Sequence, residues 1–288
     1  MKPLVSVVVP TCGRPQLLQR CLDALERQTL ARERFEIIVV DDGPTRHGPA
    51  AARNRGWRHA SADIVAFTDD DCVPDAGWLS SGVQAFRSGS DAVCGRIVMP
   101  VPHPPTDYER DAQGLERSEF VTANLLVRKR LLEELGGFDE GFRLAWREDS
   151  DLHFRLLRAG ARIARVPDAI VVHPVRPAPF GVSLSQQRKV MFDALLFKKH
   201  PGLYRERIRA RPRWDYYAIV ASLVLGFASP WLWLIWIFLT ARFCRQRLRG
   251  TSRDPRHVAE MILTSMAIPP LALFWRLAGA LKFRVGFV

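Results

Sequence analysis

Apolar residues arrive along the first two hundred positions in short runs separated by helical spacings. LVSVVV (4–9) is a near-continuous β-branched run, the pattern of a strand covered on both faces. PQLLQRCLDALERQ (15–28) follows with Leu17, Leu18, Cys21, Leu22 and Leu25 on one helical face. FEIIVV (35–40) predicts a second strand, with DDG as its exit turn, and GPAAARNRGWRHA (48–60) a helix with Pro49 near its start. DIVAF (63–67) predicts a third strand, PDAGWLSSGVQAF (74–86) a helix and DAVCGRIVM (91–99) another strand. VPHPPTDYERDAQG (101–114) has the composition of a loop. Residues 120–142 predict a strand, a short helix and a Gly-Gly stop. WREDSDLHFRLLRAG (146–160) predicts a helix whose first-turn acids suit its N-terminal dipole. ARIARVP and AIVVHP predict two more short strands, ending at His173. The alternation predicts an α/β, Rossmann-like domain over 1–175, a mostly parallel sheet flanked by helices.

Two of these strands end in carboxylates, at Asp41–Asp42 and at Asp69–Asp71. In open α/β sheets ligands bind beyond the carboxyl ends of the strands, so both clusters should line one crevice. Three adjacent carboxylates cannot all ionise unaided in a dry site. Either FTDDDCVP is a solvated turn capping the next helix, or something positive belongs there.

The remainder differs in kind. Residues 176–214 read as a basic, partly helical linker, and 215–288 as a membrane-associated helical region. YYAIVASLVLGFASPWLWLIWIFLTA (216–241) has no charge; as one helix it would measure about 39 Å, more than a hydrocarbon core of about 30 Å. VAEMILTSMAIPPLALFW (258–275) is a second apolar segment. Each holds proline near its middle, at Pro230 and at Pro269–Pro270. A plain two-span hairpin would put the arginine-rich 242–257 loop opposite a cytoplasmic domain, against the positive-inside bias. A bend at one or both prolines, returning the chain to the same face, is the expectation; two ordinary spans are the alternative.

Charge sharpens this division. The net charge is +12, and from Leu203 onward 14 Lys and Arg stand against 4 Asp and Glu, leaving about +2 for the first 202 residues. The tail's arginines flank apolar stretches, which points to anionic lipid head groups and away from nucleic acid. Five cysteines with no CxxC pair read as reduced thiols, and the apolar run before Pro10 is too short for a secretion signal.

VSVVVPTCGRP, FEIIVVDDG, AARNRG, FTDDDCVPDAGWL, TANLLVRKRLLEELGGFDE and WREDSDLHFRLLRAG, in this order and spacing, closely resemble the family 2 glycosyltransferases of the GT-A fold. The resemblance covers residues 4 to 173. It implies an inverting, metal-dependent enzyme that moves a sugar from a nucleotide diphosphate sugar, expected to be UDP-linked. Mn²⁺ or Mg²⁺ would neutralise the departing diphosphate, and such hard cations take carboxylate oxygens. By resemblance Asp69 and Asp71 occupy the family's Asp-x-Asp positions. Asp71 is expected on the metal and Asp69 on metal or ribose, with Asp70 the substitute if the register differs. His173 is a further candidate metal ligand. Asp41 matches the carboxylate that accepts a hydrogen bond from the base. Pro10, Thr11, Arg53 and Asn54 match positions near the nucleotide. Asp149 matches the general base, with Glu148, Trp146 and Asn124 in the sugar or acceptor pocket.

The sequence departs from the family after DDG, where Pro44, Thr45 and Arg46 replace the usual Ser-Thr-Asp and one strand and helix are missing. A base implies a hydroxyl acceptor, since a lipid phosphate is already ionised. Ala210 stands where processive synthases carry the Gln of their Gln-x-x-Arg-Trp signature. The implied function is transfer to a hydroxyl of a lipid-linked or glycan acceptor at the cytoplasmic face of the cell membrane. A polyprenyl-phosphate sugar synthase and a silent membrane scaffold on the same fold are the alternatives.

Overall fold

The computed structural model describes residues 2–43 and 47–287; the Pro44–Arg46 departure lies outside the described residues. The chain forms two compact units. One holds 1–100 and 113–175, the other 101–112 and 176–288. The segment expected as a separate linker, 176–214, thus packs within the second unit, and so do residues 101–112.

In chain order the elements are β1 (Val5–Thr11), α1 (Pro15–Glu26), β2 (Phe35–Asp41), α2 (Pro49–His59), β3 (Ile64–Phe67), β4 (Val73–Pro74) and α3 (Trp78–Arg87). Next come β5 (Ala92–Val98), α4 (Asp107–Gln113), β6 (Leu125–Arg128), α5 (Lys129–Leu135), α6 (Glu148–Arg158) and β7 (Ile163–Val172). The last are α7 (Val182–Gln186), α8 (Met191–Lys199), α9 (Pro201–Leu203), α10 (Trp214–Leu225), α11 (Trp231–Arg247) and α12 (Pro255–Phe283).

The seven strands form one sheet, ordered β2-β1-β3-β6-β5-β7-β4. β1 pairs in parallel with β2 and β3, and β5 with β7, whereas β6 runs antiparallel to β3 and β5. Five strands therefore point one way, and only β6 and β4 oppose them. β1 is buried at every position, as its unbroken β-branched run requires of a strand covered on both faces. Phe67 meets Phe138 edge to face, with ring centroids 5.2 Å apart, in a core that also holds Val8, Trp57, Val65, Leu125 and Leu132. α2 lies so close to β1 that a Cβ at Gly56 would come within 2.3 Å of Val8 Cγ1. The glycine of AARNRGW is what permits this approach.

Two expectations are corrected here. The two short strands before His173 are one strand, β7, whose pairing with β5 shifts register between Gly95 and Arg96. Pro167 is accommodated at that irregularity, where the ladder is already interrupted. The 101–114 segment contains helix α4. Thr106 and Glu109 exchange hydrogen bonds between side chains and backbone amides, at 2.7 and 3.2 Å, which is a capping box.

In the second unit α10 and α11 are separate helices, divided at Gly226–Pro230, so the first apolar segment does break at its proline. The second does not. α12 runs 29 residues through Pro269 and Pro270. Both prolines forfeit a helical hydrogen bond; packing compensates, since Ile268, Pro269, Ala272 and Leu273 are buried and Ile268 joins Ile219 of α10 and Phe243 of α11 in one apolar cluster. α12 is long and apolar enough to cross a membrane. Phe227, Trp231, Phe238, Phe274 and Leu281 in this unit are large apolar residues left exposed.

Candidate active site

The shared direction of β1, β2, β3, β5 and β7 brings their carboxyl ends to one edge of the sheet. Thr11 ends β1 opposite Asp41 of β2. Asp69–Asp71 follow β3, and His173 follows β7, its N–H donating to the carbonyl of Val98 at 2.8 Å. Both acidic clusters do face one edge.

The three aspartates take three different positions. Asp70 is fully buried. It accepts a hydrogen bond from Thr11 Oγ1 at 2.7 Å and pairs with Arg14 at 2.8 Å. Burial, the Asp71 charge and the Asp69 charge hold its carboxyl above the ordinary range against those two partners. Asp70 is thus an internal tie between β1 and β3, and the alternative register that would put it on a metal does not apply. Asp69 Oδ1 pairs with Arg53 at 2.7 Å. Burial opposes its ionisation, but the charges of Arg53, His173 and Arg14 prevail and hold it below the usual value. Asp71 lies 3.5 Å from Arg14 and 3.7 Å from His173 Nε2.

Asp71, Cys72 and His173 each offer a ligand atom, all within 4.8 Å of one another. Burial and the Asp69 and Asp71 charges push the Cys72 thiol well above its normal value, and a soft sulfur ligand does not suit a hard cation. The carboxylate of Asp71 and the imidazole of His173 remain, a set that suits Mn²⁺ or Mg²⁺ with positions left for phosphate oxygens and water. Asp69 stands beside this set with Arg53, not inside it.

Arg53, 3% exposed, divides its guanidinium between Asp69 at 2.7 Å and Glu148 at 3.1 Å. It joins the strand-end acids to the start of α6. Arg147 precedes that helix in the left-handed region, with φ of 75°, a conformation non-glycine residues rarely adopt. It sets Glu148 and Asp149 at the helix N-terminus. Burial and the Asp149 charge raise Glu148 to about 7, against the pull of Arg53. Burial also raises Asp149, whose Oδ1 accepts from the Ser150 N–H at 2.7 Å. Two adjacent carboxylates at a desolvated helix start thus form a site that takes up a proton near neutral pH. Trp146 is 36% exposed, with the Arg147 guanidinium 4.5 Å above its ring. Asp41 is exposed at the edge of the sheet and caps its own turn by accepting from the Gly43 N–H.

Four expected contacts are corrected. Asn54 is 1% exposed; its amide donates to the Phe138 carbonyl and Glu140 and accepts from Trp57 Nε1 and the Phe138 N–H. With both donors and both lone pairs engaged it braces the 138–140 loop and has no capacity left for a nucleotide. Asn124 is likewise occupied. It accepts from Trp78 Nε1 at 2.8 Å and donates to the carbonyls of Arg96 and Ala169, stapling the β5–β7 irregularity. A Cβ at Gly95 would come within 2.4 Å of its Oδ1. Pro10 is buried within β1 and Thr11 has its hydroxyl on Asp70, so both support the loop rather than reach out of it. Sequence reasoning missed Arg14, the cation that Asp70 and Asp71 require. It is the first charged residue after β1, and that position is the signal that points to it.

The chain matches the family described as "Glycosyl transferase family 2" over residues 6–47 and 43–151. It matches "Glycosyl transferase family group 2" over 106–278. The second match runs through the helical unit, beyond the limit at 173 that the motifs alone set. The glycosyltransferase AglE of Haloferax volcanii is 30% identical over 65% of this chain and 72% of its own. The pre-mycofactocin glycosyltransferase of Mycobacterium tuberculosis is 33% identical over 60% of this chain and 43% of its own. Among solved structures, the mannosyltransferase PcManGT of Pyrobaculum calidifontis, in complex with GDP-Man and Mn²⁺, shares the fold. It has a TM-score of 0.56 at 19% identity, covering 99% of this chain and 88% of the other.

Proposed function

The chain belongs to glycosyltransferase family 2 and has the GT-A fold, and from that premise we propose that it transfers a sugar from a UDP-sugar to a hydroxyl of a lipid-linked or glycan acceptor at the cytoplasmic face of the cell membrane. The observation that carries this reading is Arg53, which links the donor-side acids after β3 to the acceptor-side acids of α6. One buried cation thereby fixes the spacing of the two halves of a transfer site.

Asp71 and His173 would hold Mn²⁺ or Mg²⁺, with Asp69 reaching the metal or the ribose. The metal of the mannosyltransferase neighbour accords with this. A bound divalent ion would neutralise the diphosphate as it departs. Asp41 would accept a hydrogen bond from the base, and Trp146 offers a ring face to a sugar. The acceptor oxygen attacks C1 of the donor sugar, and the C1–O bond to the diphosphate breaks with its electron pair staying on phosphate oxygen. The hydroxyl proton passes to Asp149. A carboxylate held above its usual value is a better base at neutral pH than a solvated one. Glu148, tied to Arg53, holds the start of α6 in register with the donor side. The exposed apolar helices of the second unit support the membrane location.

Thermal stabilisation by a set of nucleotide sugars, with Mn²⁺ and with EDTA, tests the proposal. One donor should raise the melting temperature only with metal, and Asp71→Ala should abolish the shift. Stabilisation that ignores EDTA would remove the metal from the mechanism. Asp149→Asn with undiminished turnover would favour a phosphate acceptor.

A further inference from the structure

The helical unit carries an amphipathic cleft that glycosyl transfer does not use. Trp236, Thr240, Cys244 and Leu248 recur every four residues along one face of α11 and its end. With Ile262 and Met266 of α12 they line a groove of about 440 Å³. Arg245 and Arg253 also line this groove, and the same two residues line a second pocket of about 370 Å³ with Arg242, Gln246 and Arg249. An apolar trough therefore runs directly into an arginine cluster. Among the described residues no carboxylate pairs with any of these four arginines. Four guanidinium groups around one pocket repel one another, so the pocket favours a dense anion.

A separate observation concerns depth. Thr240 is 7% exposed, and its Oγ1, like Nε1 of Trp236, is buried with no hydrogen-bond partner. Leaving a buried hydroxyl unpaired is unfavourable, so a ligand acceptor here would be favoured. Thr240 precedes Arg245 by five residues, about 7.5 Å along a helix. An acceptor is thus wanted one step below the phosphate, and a second donor, Trp236, lies one turn deeper.

We propose that the α11–α12 cleft is a binding site for one anionic diacyl glycerophospholipid. Its phosphate lies among Arg242, Arg245, Arg249 and Arg253, an ester carbonyl accepts from Thr240, and an acyl chain fills the trough. A free phosphate would leave the trough empty, and a prenyl phosphate has no ester carbonyl for Thr240. The proposal rests on the membrane location and is independent of the transferase chemistry.

The test uses the full chain purified in a non-ionic detergent, with lipid binding read by native mass spectrometry and thermal shift. Dioleoylphosphatidylglycerol should bind one to one and at least about tenfold more tightly than dioleoylphosphatidylcholine. The exposed pair Arg245→Gln and Arg253→Gln should erase that preference while leaving basal sugar transfer to a soluble acceptor unchanged. Thr240→Val should weaken phosphatidylglycerol severalfold but leave a prenyl phosphate unaffected, and Met266→Trp, filling the trough, should abolish binding of both phospholipids. Equal binding of the two phospholipids, full competition by inorganic phosphate, or tighter binding of the prenyl phosphate would each overturn the proposal. Loss of transfer with lipid binding intact would count against the enzyme reading alone.

Discussion

Each unit of this protein buries an arginine, and the two are surrounded differently. In the sheet unit Arg53 is shared between two carboxylates, Asp69 and Glu148. In the helical unit Arg247 is shared between one carboxylate, Asp107 at 2.8 Å, and the hydroxyls of Thr264 at 2.6 Å and Ser265 at 3.1 Å. Asp107 is itself shared, pairing with Arg110 at 2.8 Å as well as with Arg247, so two cations meet one anion, and neutral oxygens accept the remaining N–H groups of Arg247. That set leaves no acid in excess and is suited to holding α4, α11 and α12 together. Around Arg53 the acids outnumber the cation, and Glu148 and Asp149 are both held above their usual values. An excess of desolvated carboxylate at a sheet edge costs stability, and such a cluster of perturbed acids is a mark of functional sites.

The comparison breaks first at Asp149. Asp149→Asn keeps the size of the side chain and removes the proton acceptor. Turnover with a hydroxyl acceptor should fall by about 10² to 10⁴, measured at saturating donor, while the melting temperature holds or rises. A comparable loss of stability would place Asp149 with the architecture instead.

The two arginines give the next contrast. Arg53→Met strands the buried Glu148 and should cost about 3 to 5 kcal/mol in denaturant unfolding, whereas Arg247→Met leaves the part-buried Asp107 with Arg110 and should cost less. The second substitution separates them. Adding Asp107→Leu to Arg247→Met should restore most of the stability, since a buried pair replaced by apolar groups is often neutral. Adding Glu148→Gln to Arg53→Met should restore part of the stability and none of the turnover, because the link from donor side to acceptor side stays broken. Restored turnover in that double variant would remove Arg53 from the positioning role.

What the sequence disclosed follows the same line. β1, β2 and β3 were legible because a strand buried on both faces must be apolar throughout, and the carboxylates stood out by ending such strands. α4 was hidden by the prolines around it, although Thr106-Asp-Tyr-Glu109 is a helix-start signature. Its partner Arg247 lies 140 positions away, and no local pattern reports a contact at that range. Asn54 and Asn124 were misplaced for a related reason. A buried asparagine near a site reads alike whether it faces a ligand or a backbone carbonyl, and only the hydrogen-bond partners tell the two apart. The break at Pro230 and the continuity through Pro269–Pro270 show one residue type deciding opposite outcomes. Gly226 and Ser229 weaken the first segment further, whereas buried neighbours hold the second.

The smallest expected effect lies in pH. Glu148 is raised from an ordinary 4.5 to about 7, so between these values the folded chain binds more protons than the unfolded chain. Stability from this group is complete below about pH 4.5 and is lost as pH rises through about 7. Glu148→Gln mimics the protonated form at every pH and keeps an acceptor for Arg53. The variant should therefore match the parent near pH 5 and exceed it by up to about 3 kcal/mol at pH 8 to 9. Equilibrium unfolding at the two pH values reads this directly. A gain at pH 5 as large as at pH 9 would mean that Glu148 is already ionised in the fold, and that the excess of carboxylate at the sheet edge is carried by Asp149 alone.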